Sequence, residues 1–193
     1  MRISSFATCL FAIAIIGLAA CGSDDDDGTP DAPPAELSCA SYCTQIASSC
    51  TGGNQQYGST AECMATCGHF PLGALADTTG NTLGCRTYHA GAAMTGPDTH
   101  CRHAGPGGDG ACGANCLGFC TLVLGSCTGA MAQYNGDMST CMTACAGYAT
   151  DPPYSSMQTG GDSFACRLYH ATAASANPGV HCSHTGATSP TCN

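Results

Sequence analysis

The chain has 193 residues, a formal net charge of -9, 18 cysteines, 26 glycines and no tryptophan. Its four basic side chains are all arginine. No basic patch can be assembled to neutralise phosphates, so nucleic acid is excluded as a partner, and anionic headgroups would not attract the chain by charge.

The N-terminus opens with Met1-Arg2 and an apolar run from Phe6 to Ala20, interrupted only by Thr8 and Gly17. The run is too short for a stable span and fits the h-region of a secretory signal over residues 1–20. It ends Leu18-Ala19-Ala20-Cys21-Gly22, which resembles a bacterial lipobox. That resemblance implies cleavage before Cys21 and acylation of Cys21 on sulfur and, usually, on the new amine. Two or three acyl chains give stable membrane anchoring, where a single chain gives only marginal binding. Gly22, in place of an aspartate, implies the outer membrane of the bacterial cell envelope, with a periplasmic or surface-exposed protein.

Residues 21–35 follow as a tether, with Asp24 to Asp27, Asp31 and three prolines. Like charges repel and Pro and Gly build no core, so this stretch reads as a disordered spacer. From Glu36 onward only about 9% of residues are Leu, Ile, Val or Phe, below the roughly 20% at which chains tend towards disorder. Sixteen of the 18 cysteines lie in this part. In a secreted chain that even number reads as a disulfide framework compensating for a thin core, each native bridge contributing about 2–5 kcal/mol.

The cysteines fall into two matching sets, 39, 43, 50, 63, 67, 85, 101 and 112, then 116, 120, 127, 141, 145, 166, 182 and 192. Repeat 1 is placed at 36–113 and repeat 2 at 114–193, with little linker between them. In repeat 1, Glu36 to Cys50 has helical periodicity, with Cys39 and Cys43 one turn apart. Ser59 and Glu62 fit a capping box, opening a second helix to about Phe70 that carries Cys63 and Cys67. Pro71 to Gly80 reads as a loop. A third helix is expected from about Thr82 to Met94, stopped by Gly96-Pro97. Its counterpart in repeat 2 is capped by Asp162 or Ser163 and stopped by Asn177-Pro178-Gly179. The glycine-rich segment after the third helix is expected to be irregular. The fold class is therefore mainly α, small and disulfide-rich, as two tandem helical-hairpin-plus-helix repeats.

Two helices that each carry a Cys-x3-Cys pair resemble the disulfide-clamped helical hairpins of plant antimicrobial and protease-inhibitor peptides. That resemblance implies Cys39–Cys67 and Cys43–Cys63, with Cys116–Cys145 and Cys120–Cys141 in repeat 2. Among the open pairings of the remaining cysteines, Cys50–Cys85 and Cys101–Cys112 are favoured, with Cys127–Cys166 and Cys182–Cys192 as counterparts.

The most characteristic stretch is Cys85-Arg86-Thr87-Tyr88-His89 with His100-Cys101-Arg102-His103, repeated 81 residues later as Cys166-Arg167-Leu168-Tyr169-His170 with His181-Cys182-Ser183-His184. These motifs are similar to those of uncharacterised cysteine-rich lipoproteins of deltaproteobacteria, including myxobacteria, a resemblance that implies no activity. His89, His100 and His103 can converge, as can His170, His181 and His184, if the segment folds back on the helix. Three neutral imidazoles suit zinc or copper and leave a coordination position open. The competing reading makes these histidines structural, bonded to backbone carbonyls, with no cofactor. Arg86 and Arg167 are expected to bind the carbonyls ending a neighbouring helix or to pair with an acid. Tyr88 and Tyr169 are expected in the core.

Enzyme chemistry finds no support. Even pairing leaves no thiolate nucleophile, and there is no Cys-x-x-Cys, Gly-x-Ser-x-Gly or phosphate-cradling glycine loop. The expectation is a membrane-anchored, non-catalytic interaction or structural module, with an unspecified protein or cell-surface partner. The alternatives are a metal-binding lipoprotein using the histidine triplets and, from the hairpin spacing alone, a protease inhibitor.

Overall fold

The computed structural model describes residues 36–193. The expected signal segment 1–20 and the expected tether 21–35, with Cys21, lie outside the described residues. Eight α-helices and no named strand occur among the described residues. Four belong to each repeat: α1 Cys39–Ser49, α2 Thr60–Cys67, α3 Leu83–Ala92 and α4 Pro97–Ala104, then α5 Asn115–Ser126, α6 Met138–Cys145, α7 Phe164–Ala176 and α8 Pro178–Thr185. The protein is a small, disulfide-rich α fold built as a tandem repeat.

Short polar caps start most of these helices. The hydroxyls of Ser38, Ser59, Thr82 and Ser163 accept from the backbone N–H groups of Ser41, Glu62, Cys85 and Cys166. The Asp137 carboxylate does the same for Thr140 at 2.7 Å. Each satisfies one donor that the first turn leaves orphaned. Ser38 rather than Glu36 therefore begins α1. The Glu62 carboxylate reaches back to the Gly58 N–H at 2.9 Å, one residue before the cap.

Residues 97–104 and 178–185 are helical, which corrects the expectation of irregular structure after the third helix. Gly96-Pro97 and Asn177-Pro178 do end α3 and α7. Each proline is also the first residue of a new helix, where its missing N–H costs nothing and its fixed φ suits the turn. This reversal rewires the remaining disulfides. In helix α4 Cys101 turns to the end of α1, so Cys50 bonds Cys101 and not Cys85, with a Cα–Cα distance of 5.6 Å. Cys85 then bonds Cys112 instead of leaving that residue to Cys101. Repeat 2 follows suit: Cys127–Cys182 and Cys166–Cys192 replace Cys127–Cys166 and Cys182–Cys192. The hairpin bridges are Cys39–Cys67, Cys43–Cys63, Cys116–Cys145 and Cys120–Cys141.

The two repeats share one core of cysteines with Tyr42, Ile46, Phe119, Leu122, Val123, Phe164 and Leu168. Helix α2 of repeat 1 packs on α7 of repeat 2. Tyr154 Oη donates to the Gln56 carbonyl at 2.8 Å, and the Ser156 N–H to the Gln55 carbonyl at 2.7 Å. Gly118 permits the closest approach, since a Cβ there would stand 2.4 Å from the Pro106 carbonyl oxygen. His69 is half-buried in this contact, and its Nε2 hydrogen-bonds with Ser126 Oγ at 3.1 Å. The thin apolar inventory is thus pooled into a single interior, and the bridges supply the rest of the constraint.

Candidate metal centre

Arg86 ties α3 to the end of α4, and the Cys50–Cys101 bridge ties α4 to the end of α1. Arg86, with 0% exposure, donates through Nε to the Gly105 carbonyl at 3.2 Å and through Nη2 to the Pro106 carbonyl at 3.2 Å. These carbonyls close α4. Nη1 and Nη2 also reach the Thr82 carbonyl and Asn81 Oδ1, and the guanidinium lies 3.7 Å over the Phe70 ring. In repeat 2 Arg167 stacks on Tyr148 and pairs with Asp162 at 2.8 Å.

On α4, His100 and His103 stand three residues apart and share the face turned to α3. They meet His89, which projects from α3. The Nδ1 atoms of His89 and His100 are 2.9 Å apart. The ring centroids of His89 and His103 are 4.8 Å apart and their planes near perpendicular. In repeat 2 the Nδ1 atoms of His170 and His181 are 3.0 Å apart, and His184 Nδ1 lies 3.3 Å from His170 Nδ1. One ligand atom from each histidine of a triad can be chosen so that all lie within 4.8 Å of one another. For comparison, zinc–nitrogen bonds of ~2.0–2.1 Å in tetrahedral array place the ligand nitrogens about 3.3 Å apart.

Backbone carbonyls fix the protons. His89 Nε2 faces the Thr78 carbonyl at 3.2 Å, and His170 Nε2 faces the Thr159 carbonyl at 3.3 Å. A carbonyl only accepts, so Nε2 carries the hydrogen and Nδ1 presents its lone pair inward. This outer contact orients the ring as a ligand requires. His103 Nδ1 is buried with no hydrogen-bond partner. In repeat 2 His181 and His184 compete for the single lone pair of His170. Neither triad can therefore satisfy all its inward nitrogens with protons alone.

Burial disfavours the charged imidazoles. It lowers His89, His103 and His181 below the usual histidine value, and takes His170 down to about 4 with help from His184 and His181. Neutral imidazole is the form that binds a metal. Cys85 and Cys112 flank His89, and Cys166 and Cys192 flank His170, but these sulfurs are tied in disulfides and offer no thiolate. Among the described residues no carboxylate joins either triad within the same reach.

Tyr88 is 49% exposed and Tyr169 half-buried, so neither is a core residue; each packs edge-on against the neighbouring histidine. The Thr78 and Thr159 carbonyls were not among the site groups read from sequence, since backbone acceptors leave no side-chain signature. Their shared offset of 81 was the available signal.

Fold and site together define a tandem, disulfide-clamped helical module with one inward-facing histidine triad per repeat. The family model of the BfoA family C-terminal domain matches residues 25–115 and again 116–191, and the chain belongs to that family. It is similar to protein R659 of Acanthamoeba polyphaga mimivirus, named for an EGF-like domain, with 32% identity over 44% of this chain and 16% of that one. It is also similar to the Aurasperone B biosynthesis cluster protein A of Aspergillus niger, with 37% identity over 38% of this chain and 25% of that one. The chain thus covers a quarter or less of the length of these relatives. No solved structure matches it.

Proposed function

We propose that this protein is a bacterial cell-envelope lipoprotein whose two repeats each hold one transition-metal ion, zinc or copper, on three imidazoles. The observation that carries the reading is the doubled convergence of three imidazoles, in which His89 and His170 turn a bare Nδ1 inward. A purely structural role leaves His103 Nδ1 buried without a partner, a cost of about 1–3 kcal/mol. The disulfides and the Arg86 clamp hold the ligands in place before any ion arrives, so little ordering remains to oppose binding. Imidazole sets suit zinc and copper, and three of them leave a position for water or an exogenous ligand. The reading is of a binding module rather than an enzyme, with no carboxylate in the triads to serve as a general base. The Leu18-Ala19-Ala20-Cys21 sequence supports acylation at Cys21, which would station the module at the outer membrane.

The test is the metal content of protein purified without a histidine tag and then exposed to zinc or copper. Two equivalents are expected for the wild type and none for His103→Ala combined with His184→Ala. A wild type that binds neither ion down to micromolar affinity contradicts the proposal.

A further inference from the structure

Apart from the histidine triads, the repeats share a cavity of about 230 Å³ in the seam between them, and no triad histidine lines it. Repeat 2 supplies an apolar wall from Phe164, Leu168, Pro153 and the Tyr154 ring. Repeat 1 supplies two opposite charges, Arg102 from α4 and Asp109 from the loop after it.

Arg102 is the accessible basic side chain of the described residues, since Arg86 and Arg167 are only 0% and 3% exposed. Its Nε donates to the Asp98 carbonyl at 3.0 Å and stands 3.5 Å from Asp109 Oδ2. Among the described residues no hydrogen bond takes up Nη1 or Nη2, so the forked end of the guanidinium is free. Arg102 also borders a neighbouring trough of about 670 Å³, which keeps it within reach of solvent. Asp109 is fixed from the other side. Asn115 Nδ2 donates to its Oδ1 at 3.3 Å, and the Asp109 N–H donates to Asn115 Oδ1 at 3.1 Å. Its φ of 43° is uncommon for a residue with a side chain. An exposed ion pair with one long contact adds little to stability, so a ligand can draw either charge to itself at small cost. Repeat 2 has Ser183 in the place of Arg102, so the repeat fold does not call for a cation there.

We infer that the seam cavity binds a small zwitterion, an α-amino acid with an apolar side chain. Its carboxylate lies on the Arg102 fork, its ammonium on Asp109, and its side chain against Phe164 and Leu168. Neighbouring charges of opposite sign match a ligand whose own opposite charges are neighbours. A chain of net charge -9 repels a simple anion at long range, whereas a zwitterion carries no net charge to repel. The cavity is smaller than the roughly 300–1,000 Å³ of pockets for drug-sized ligands, which suits an amino acid. The inference stands apart from the metal reading.

The experiment is calorimetric titration of the full chain with L-leucine, in EDTA so that chelation of zinc by the amino acid plays no part. One leucine per chain is expected, with alanine weaker by about fourfold for each methylene it lacks. Leucinamide lacks the carboxylate and N-acetylleucine lacks the ammonium; each should bind about tenfold more weakly or worse. Arg102→Ser copies repeat 2. Asp109→Asn keeps an oxygen for Asn115 and tolerates the positive φ. Both variants should keep the wild-type thermal midpoint and lose about tenfold or more in leucine affinity. No leucine binding at millimolar concentration, equal binding of leucine and leucinamide, or unaltered affinity in the two variants would overturn the inference.

Discussion

Arg86 Nε donates to the carbonyl of Gly105 at 3.2 Å, joining the middle of α3 to the residue that ends α4. The bond lies between the helices that supply His89 on one side and His100 and His103 on the other. Arg86→Met removes the donors of four buried or part-buried acceptors while keeping much of the volume. The cost should be about 3 kcal/mol, read as a lowered denaturant midpoint. Arg86→Lys should recover little, because a single ammonium cannot span the spread of carbonyls that the planar fork reaches. A loss below about 0.5 kcal/mol, the range of ordinary surface changes, would remove the clamp from the account.

The disulfide pattern has a direct chemical readout, because the folded part has only three cleavage sites for trypsin, after Arg86, Arg102 and Arg167. Denatured but unreduced protein should give four fragments that remain one covalent assembly. Cys50–Cys101 ties the fragment 87–102 to the one ending at Arg86, and Cys85–Cys112 ties the latter to 103–167. Cys127–Cys182 and Cys166–Cys192 hold 103–167 to the C-terminal fragment. The pairing Cys50–Cys85 with Cys101–Cys112 would instead free the first fragment, and its counterparts would free the last.

Acid should weaken the metal-free fold through its histidines. Burial depresses His69, His89, His103, His170 and His181, so the folded state resists the protons that the unfolded chain accepts. Stability is then full above the unfolded histidine value of about 6.5 and falls as pH drops below it. For His170 the loss continues to about 4 and then levels off. Urea midpoints at pH 7.5, 5.5 and 4 should fall in that order. A midpoint that is constant or rises on acidification would contradict the burial of these rings as neutral groups.

The helical hairpins and the tandem repeat could be read from the sequence because they rest on local signals: Ser59 with Glu62, the Cys-x3-Cys spacing, and matching cysteine positions. Helix α4 could not, because Gly96-Pro97 serves equally well as the end of one helix and the start of the next. That single ambiguity carried the wrong partners for Cys50, Cys85, Cys101 and Cys112. The six histidines stand in the chain at one offset, but their convergence depends on His100 and His103 sharing a helix face. The Thr78 and Thr159 carbonyls, which set the tautomers, belong to loops whose path no residue pattern specifies. The pairing of Arg167 with Asp162 and the bonding of Arg86 to the Gly105 and Pro106 carbonyls are likewise tertiary facts.

Lipidation is open to test without the folded part. Cys21→Ser should leave the precursor unprocessed or move the protein out of the membrane fraction. No helix among the described residues is long and apolar enough to cross a membrane. Unchanged fractionation together with unchanged processing would argue against acylation at this residue.

The central claim is that each triad is a metal site built from imidazole nitrogen, and X-ray absorption on the zinc-loaded protein tests it most directly. The account predicts a first shell dominated by nitrogen at about 2.0–2.1 Å, with the multiple-scattering signature of imidazole and no sulfur at about 2.3 Å. That shell should vanish in the protein carrying both His103→Ala and His184→Ala. A sulfur shell, or zinc retained unchanged by that double variant, would contradict it.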